Sequence, residues 1–215
     1  SSGDDCGYGA GTPWGTITGG RKQGKSSIAV GNLLYDATLV NSSSRGPAAD
    51  GRIKPDICAH GHGQRATDEN NTYMTGGGTS AAAPGVAGIL AQLIEAYRDL
   101  NGGNDPETAL LKACLLNTAE DLGNPGPDFY YGWGRVNALR ALMTLEDNRY
   151  LSANMTQGGS NSHTITVPAN TTQLRVMIYW QDYEGVAGAS FALVNNLDLT
   201  LAEPGGAVYN PWILD

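Results

Sequence analysis

The chain has 215 residues, of which 40% are hydrophobic and 16% are charged, and its formal net charge is -8. This composition is that of a globular protein and excludes intrinsic disorder. The negative charge argues against nucleic acid or an anionic membrane surface as a partner, because phosphate groups would be repelled. No run approaches the roughly 18 consecutive apolar residues that cross a bilayer, so we expect no membrane span.

Residues 1–26 are rich in glycine, threonine and serine, which predicts loops linking short strands. Residues 27–30 are predicted to form a buried strand bounded by a Gly-Asn turn, and residues 53–59 a short extended piece. The three cysteines are too widely spaced for a zinc site or a disulfide framework. We expect Cys58 and Cys114 to be small core residues and Cys6, in a Gly-rich stretch, to be exposed.

Residues 19–26 (GGRKQGKS) match the GxxxxGK[ST] pattern of phosphate-binding loops. Such a loop needs a helix directly after the lysine and serine, because the helix N-terminus holds the phosphates. Residues 27–32 (SIAVGN) are too short and too β-branched to begin one. The pattern favours a basic surface turn around Lys25, and a nucleotide-binding module is the lesser alternative.

Three helices are predicted in the middle of the chain. From Thr79 onward, apolar residues recur at steps of three and four, which is typical of a helix with one buried face; it should end at residues 101–103 (NGG). Residues 105–107 (DPE) supply an N-cap, a proline and an acidic residue for a second helix that extends to about residue 118. A third helix is predicted at about residues 136–145.

After Asn148 the pattern changes to alternating β-branched and polar residues. The alternation is found at residues 164–167, 174–180 and 197–201. We therefore predict a separate β domain in this part of the chain.

Residues 76–88 (GGGTSAAAPGVAG) contain the strongest candidate for chemistry. Ser80 lies at the start of the first predicted helix, where backbone donors are unpaired and the helix dipole favours developing negative charge, so it is a suitable nucleophile. The glycines let a substrate backbone approach, and Pro84 fits a first helical turn, where its missing N–H is no loss. The alternative is that Ser80 is an ordinary N-cap residue.

The GTSAAAPGVAG string of residues 78–88 resembles the active-site serine segment of the subtilases, whose pattern is GTSMAAPxVAG; Ala81 replaces the usual methionine. Five further segments resemble subtilase elements in the same chain order: residues 28–31 (IAVG), 43–47 (SSRGP), 54–56 (KPD), 117–119 (NTA) and 132–138 (GWGRVNA). The last two resemble the closing helices of the family. The resemblance implies an α/β fold over residues 1–147, with a partial subtilisin-like parallel sheet and flanking helices. The start of a jelly-roll-like β-sandwich would follow over residues 148–215.

The resemblance also implies a function. It indicates a serine endopeptidase that forms an acyl-enzyme on Ser80, with Gly78 and Thr79 binding a protein or peptide substrate. It implies a secreted or extracellular protein that requires no cofactor. Many subtilases bind a structural calcium, and three residues beside a predicted strand could supply its oxygen ligands: Asn195, Asn196 and Asp198. The alternative is that these side chains form hydrogen bonds in a turn and at a strand edge.

The catalytic aspartate and histidine of a subtilase precede the strand matched by residues 28–31, and neither segment is present. His60 stands where the family has proline, and no helix pattern follows His60 or His62, so we assign both to a loop rather than to the general base. His163 lies in the predicted β domain, away from catalysis. Asn32 follows the later strand and is not the oxyanion asparagine.

We expect these 215 residues to be inactive alone and to need the N-terminal part of the same parent protein. An incomplete parallel sheet exposes a strand edge and an apolar face, which predicts self-association. The alternative function is a catalytically inactive relative that acts as a binding module, as the unusual His60 and the missing triad residues suggest.

Overall fold

A computed structural model describes residues 15–17, 19 and 21–212 of the chain. The predictions for Cys6 and for the loops of residues 1–14 lie outside the described residues. The predicted α/β arrangement is present, since helices pack against a parallel sheet in the first two thirds of the chain.

The central sheet consists of two parallel strands, β1 (Val30–Leu33) and β2 (Ile57–His60). β1 begins later than the strand predicted at residues 27–30, because side chains already occupy the backbone groups before Val30. The Ala29 amide donates to the Asp56 carboxylate (2.7 Å). The Ser27 carbonyl accepts hydrogen bonds from two lysines, Lys54 and Lys112.

Single residues extend the sheet beyond β2. Arg135 bridges Cys58 in parallel and Glu120 in antiparallel orientation. The backbone of Cys58 also bonds Gly134 and Val136 (2.8 and 2.9 Å). In residues 132–138, which were matched to a closing helix of the family, the backbone of residues 134–136 therefore lies beside β2. The helix begins only after this contact.

A β-hairpin that the sequence analysis missed connects β2 to the first helix. Its strands are β3 (Gln64–Asp68) and β4 (Thr72–Gly76), paired antiparallel. The turn contains Asn70 and Asn71 at φ 55° and 61°, and asparagine tolerates this left-handed conformation. The Asn-Asn pair between two polar runs was the available signal.

Three helices follow in the predicted order. α1 (Thr79–Leu100) has the predicted start and end. α2 (Thr108–Asn117) begins later than predicted, because Asp105 pairs with Arg98 (2.7 Å) and Glu107 occupies the N-cap. In α3 (Ala138–Glu146), the side chain of Asn137 caps the N-terminus. Over the part of the chain that is described, no helix has the length and apolar character to cross a bilayer.

The helices and the sheet bury one core. Its buried members are Val30, Ile57, Ala59, Ala82, Val86, Leu93, Leu110, Leu111, Cys114, Leu115, Leu116, Ala119, Ala141 and Leu145. Cys58 and Cys114 are buried free thiols, as predicted. Burial raises the pKa of the Cys114 thiol to about 11 and also raises the pKa of Cys58, so neither is a thiolate nucleophile at neutral pH.

The C-terminal region does not show the predicted β-sandwich. Its described strands are a short antiparallel pair, β5 (Leu201–Ala202) and β6 (Val208–Tyr209), and none is assigned to residues 164–167 or 174–180. Residues 174–180 contact α2 instead of pairing with another strand, since the Asn117 side chain donates to the Arg175 carbonyl and the Tyr179 ring lies against Lys112. Their alternation is used there, because Met177 packs against the core and the neighbouring Ile178 is exposed.

Candidate active site

The candidate nucleophile lies at the N-terminus of α1. Gly78 is the N-cap, with φ 118°, and Ser80 is the second helical residue rather than the cap. Ser80 is exposed and Gly78 is half-buried, whereas Thr79 is fully buried. Within the described residues, the hydroxyl of Ser80 makes no hydrogen bond, so it is available to solvent.

Glycines hold this helix end against the end of β2. The Gly78 amide donates to the carbonyl of Gly61 (2.9 Å), and the Gly61 amide donates to the carbonyl of Leu33 (3.3 Å). A Cβ on Gly61 would lie 2.6 Å from the Gly78 oxygen, and a Cβ on Gly77 would lie 2.7 Å from the Gly61 oxygen. Only glycine permits two backbones to approach this closely, so this contact sets the position of Ser80.

This contact places Ser80 at the carboxyl end of the parallel strands. Leu33 and His60 are the last residues of β1 and β2, and Gly61 joins them to the helix. In open α/β sheets, ligands bind outside the carboxyl ends of the strands. The site therefore occupies the part of the sheet where a substrate is expected.

The start of α1 also provides a backbone donor for negative charge. The amides of Ala81 and Ala82 both donate to the Gly78 carbonyl (3.0 and 3.1 Å), whereas the Ser80 amide has no such backbone bond in the described part of the chain. A free amide at a helix N-terminus, aided by the helix dipole, can stabilise an oxyanion. Ser80 thus offers a hydroxyl and an N–H at one place.

The sequence predicts Pro84 in the first turn of the helix, and this prediction is wrong. α1 begins at Thr79, so Pro84 is its sixth residue. At this position its ring removes the N–H that would donate to the carbonyl of Ser80. The helix therefore lacks one internal hydrogen bond directly at the candidate nucleophile.

The histidines do not complete the site. His60 ends β2, and its ring meets the exposed Tyr35 ring edge-on at 6.1 Å. His62 is exposed in the turn after β2, and His163 is exposed in the C-terminal region. None of the three hydrogen-bonds the hydroxyl of Ser80. The structure gives no support for either His60 or His62 as the general base.

Asn32 is fully buried in β1, which agrees with its exclusion as an oxyanion donor. Neither polar atom of its side chain has a partner among the described residues. Burying an unpartnered amide costs free energy of folding.

A buried charge cluster lies at the opposite, amino end of the sheet. The Asp56 carboxylate, directly before β2, pairs with Lys54 (2.5 Å) and with Lys112 of α2 (2.9 Å), and all three side chains are at most 8% exposed. Burial lowers the pKa of Lys54, and the nearby positive charges of Lys112 and Arg52 add to this effect, while Asp56 opposes it. The KPD segment therefore fixes the sheet and α2 rather than contributing to the site at Ser80.

The phosphate-loop pattern is not a nucleotide site. Residues 26–29 form bends and irregular backbone, and β1 rather than a helix follows them. Lys25 is also engaged, because its ammonium group pairs with Asp182 at 2.7 Å. The basic surface turn is thus the interpretation that the structure supports.

Of the residues named as possible calcium ligands, Asn195 takes part in hydrogen bonds within the C-terminal region. Asn195 uses its amide nitrogen to donate to Asp182 (3.0 Å), and its backbone carbonyl accepts from Trp180 (3.2 Å). In the described residues, no group of three or more His, Cys, Asp and Glu side chains could hold a metal. Asn195 thus fits the hydrogen-bonding alternative.

Comparisons with known proteins agree with the sequence motifs. The family model described as "Peptidase_S8: Subtilase family" matches residues 3–134. The chain is 27% identical over 197 residues to the serine protease/ABC transporter B family protein tagA of Dictyostelium discoideum, covering 74% of this chain and 11% of that protein. It is 33% identical over 125 residues to the membrane-bound transcription factor site-1 protease of Homo sapiens, covering 55% and 11%.

Two further similarities extend the comparison. The chain is 30% identical over 170 residues to the C5a peptidase of Streptococcus pyogenes, covering 72% of this chain and 15% of that protein. A solved structure of a lanthipeptide protease has 25% identity and a TM-score of 0.45, and the match covers 55% of this chain and 41% of that one. The chain thus spans between 11% and 15% of the length of these curated relatives. Since the family model covers more than half of its residues, this chain belongs to the subtilase family of serine proteases.

Proposed function

We propose that this chain supplies the nucleophile of a serine endopeptidase, and that the nucleophile is Ser80. The observation that carries the proposal is the exposed Ser80 hydroxyl at the N-terminus of α1, beside the carboxyl ends of β1 and β2. Its oxygen would bond to the scissile carbonyl carbon while its proton passes to a histidine base. The oxyanion formed would accept a hydrogen bond from the Ser80 amide. Collapse would expel the amine, which takes the proton, and water would then release the acyl group.

The substrate would be a protein or peptide that approaches along the glycine-rich segment before α1. Gly78 is half-buried and has no side chain to block an extended peptide. Thr79, fully buried beneath it, would support this floor from inside. We therefore keep Gly78 and Thr79 as the proposed substrate-binding residues.

The general base and its aspartate must come from a segment other than these 215 residues. The sequence has three histidines, and none of them bonds Ser80 in the structure. Removing the histidine from a subtilase triad lowers kcat by about 10⁶, which corresponds to about 8 kcal/mol of transition-state stabilisation. We therefore propose that this chain is inactive alone and works with the N-terminal part of the same parent protein.

The test is labelling of Ser80 with a fluorophosphonate probe in the protein encoded by the complete reading frame. We expect labelling that Ser80→Ala abolishes and that Ser26→Ala, a change at another exposed serine, leaves intact. The 215-residue chain alone should show no labelling above the Ser80→Ala background. Labelling that survives Ser80→Ala would disprove the assignment, and a complete protein that binds peptides without being labelled would favour the inactive binding module.

We further propose that residues 148–215 contain the start of a β-sandwich, because Ile165, Val167, Leu174 and Val176, in two of the alternating runs, are exposed here. Amide exchange in the complete protein should then show protected strands at these positions. We also propose a secreted or extracellular location without a required cofactor. Recovery of the complete protein only from cell lysate would contradict the proposed location. A fall in fluorophosphonate labelling of Ser80 on dialysis against EDTA would contradict the proposal that no cofactor is required.

Self-association of the isolated chain is also proposed. One face of α1 exposes Pro84, Gly85, Ala87 and Gly88, which no described element covers. Burying this face between copies would remove exposed backbone and apolar surface from water. Sedimentation equilibrium should show an average mass that rises with concentration; a constant monomer mass would refute this.

A further inference from the structure

The basic turn (residues 21–27) has a role that catalysis at Ser80 does not explain. The ammonium group of Lys25 donates to three acceptors that lie more than 150 residues later in the chain. They are the Asp182 carboxylate (2.7 Å), the Ala192 carbonyl (2.5 Å) and the Tyr183 carbonyl. All three donor positions of the lysine are thus used by one C-terminal segment.

Asp182 organises that segment from the other side. Its carboxylate accepts from the amides of Val194 and Asn195 (2.8 and 2.9 Å) and from the Asn195 side chain (3.0 Å). Its side chain is 4% exposed, and that of Lys25 is 16% exposed. One carboxylate therefore closes the loop of residues 182–195 and fastens it to the basic turn.

Two more residues of the segment, Ala192 and Tyr179, attach it to the α/β body. The Ala192 amide donates to the Asp50 carboxylate (3.1 Å), which Arg52 also holds (2.6 Å). The Tyr179 hydroxyl donates to the carbonyl of Lys25 (3.1 Å), and the Tyr179 ring lies 5.1 Å from the ammonium of Lys112. The Tyr179 ring therefore lies against Lys112, a member of the buried charge cluster around Asp56.

We propose that residues 179–195 form a latch, the tail latch, whose docking surface is the basic turn together with Asp50 and Lys112. The latch holds the C-terminal region on the α/β body at the amino end of the sheet. Ser80 lies beyond the carboxyl end of the strands, so the latch stabilises the chain without covering the nucleophile. Its action is independent of the proposed protease activity, because none of the hydrogen bonds and ring contacts described above involves α1.

Charge pairing at low exposure makes the latch testable in the intact 215-residue chain. Removing one partner of a buried pair leaves an uncompensated charge, whereas removing both charges costs far less. The amide of Ala192 reports on latch closure, because its acceptor Asp50 belongs to the body. We expect Lys25→Met and Asp182→Asn each to accelerate hydrogen exchange at Ala192 by about tenfold or more.

The matched control is Lys22→Met, which removes a half-buried lysine of the same turn whose side chain makes no hydrogen bond or ion pair with the described residues. Its exchange should equal that of the unmodified chain. The double variant Lys25→Met/Asp182→Asn should exchange more slowly than the product of the two single effects predicts. If a single variant unfolds throughout, recovery of protection in the double variant supports the latch. Exchange in Lys25→Met equal to that in Lys22→Met, purely additive single effects, or no recovery in the double variant would each overturn it.

Discussion

The contact at Gly61 is the point where a single methyl group should be most disruptive. Gly61 is not in the left-handed region, so alanine would suit its backbone. The obstacle is steric, because the new Cβ would lie 2.6 Å from the Gly78 oxygen and the Ala82 nitrogen and 2.7 Å from the Ala82 Cβ. We expect Gly61→Ala to lower the free energy of unfolding by about 1–3 kcal/mol, as overpacking does, measured by urea titration. Gly205→Ala is the control, since its nearest neighbour is 3.8 Å away; equal effects would refute the explanation.

Asp182 should make the free energy of unfolding depend on pH in the acidic range. Burial would raise the pKa of Asp182, but the hydrogen bonds from Lys25 and from the Val194 and Asn195 amides outweigh it and hold the pKa well below its ordinary 3.8. A carboxylate with a lowered folded-state pKa stabilises the fold above its unfolded pKa and loses this contribution as pH falls through the folded value.

We therefore expect the free energy of unfolding to fall as pH drops below 3.8, and Asp182→Asn to flatten that part of the curve. Urea titrations at a series of acidic pH values measure both slopes. The exposed Asp105→Asn variant serves as control. Identical slopes in the unmodified chain and in Asp182→Asn would show that Asp182 does not titrate as described.

The helix α1 contains Pro84 at a position where an uninterrupted helix would have a backbone N–H. Pro84→Ala restores the donor to the Ser80 carbonyl and removes the ring from the helix, so we expect the free energy of unfolding to rise by about 1–3 kcal/mol. Gly85→Ala is the matched comparison, because its new Cβ would meet no atom within 4 Å and should add about 1 kcal/mol of helix propensity alone. Thermal unfolding measures both variants, and a Tm of Pro84→Ala at or below that of Gly85→Ala would contradict this expectation.

The elements also show where local pattern was sufficient. The three-and-four spacing of apolar residues predicted α1 with its observed start and end, because one face of that helix is buried along its length. The β3–β4 hairpin was missed because both of its strands are exposed, so no alternation of apolar and polar residues marks it. Its Asn70-Asn71 turn was the only local indication.

For the whole molecule, Asp56 joins parts that are distant in sequence. It binds the backbone before β1, the lysine before β2 and Lys112 of α2. Asp56→Asn would leave two buried ammonium groups without their counter-charge, so we expect a loss of about 3–5 kcal/mol in the free energy of unfolding, measured by urea titration. Asp105→Asn, which breaks the exposed pair with Arg98, should cost at most about 1 kcal/mol; similar losses would disprove the assignment.

Motif and periodicity were sufficient to predict the family, the helix α1 and the position of Ser80 at its start. These features depend on residues close together in the chain, so motif and periodicity carry the information. The sequence could not determine where β1 begins, because the carbonyl of Ser27 is held by a lysine 85 residues later. Nor could it show that Lys25 holds Asp182, 157 residues away, or that residues 174–180 dock on α2. These points depend on the folded chain, because buried charges and unpaired backbone groups take partners by spatial proximity, which local sequence does not encode.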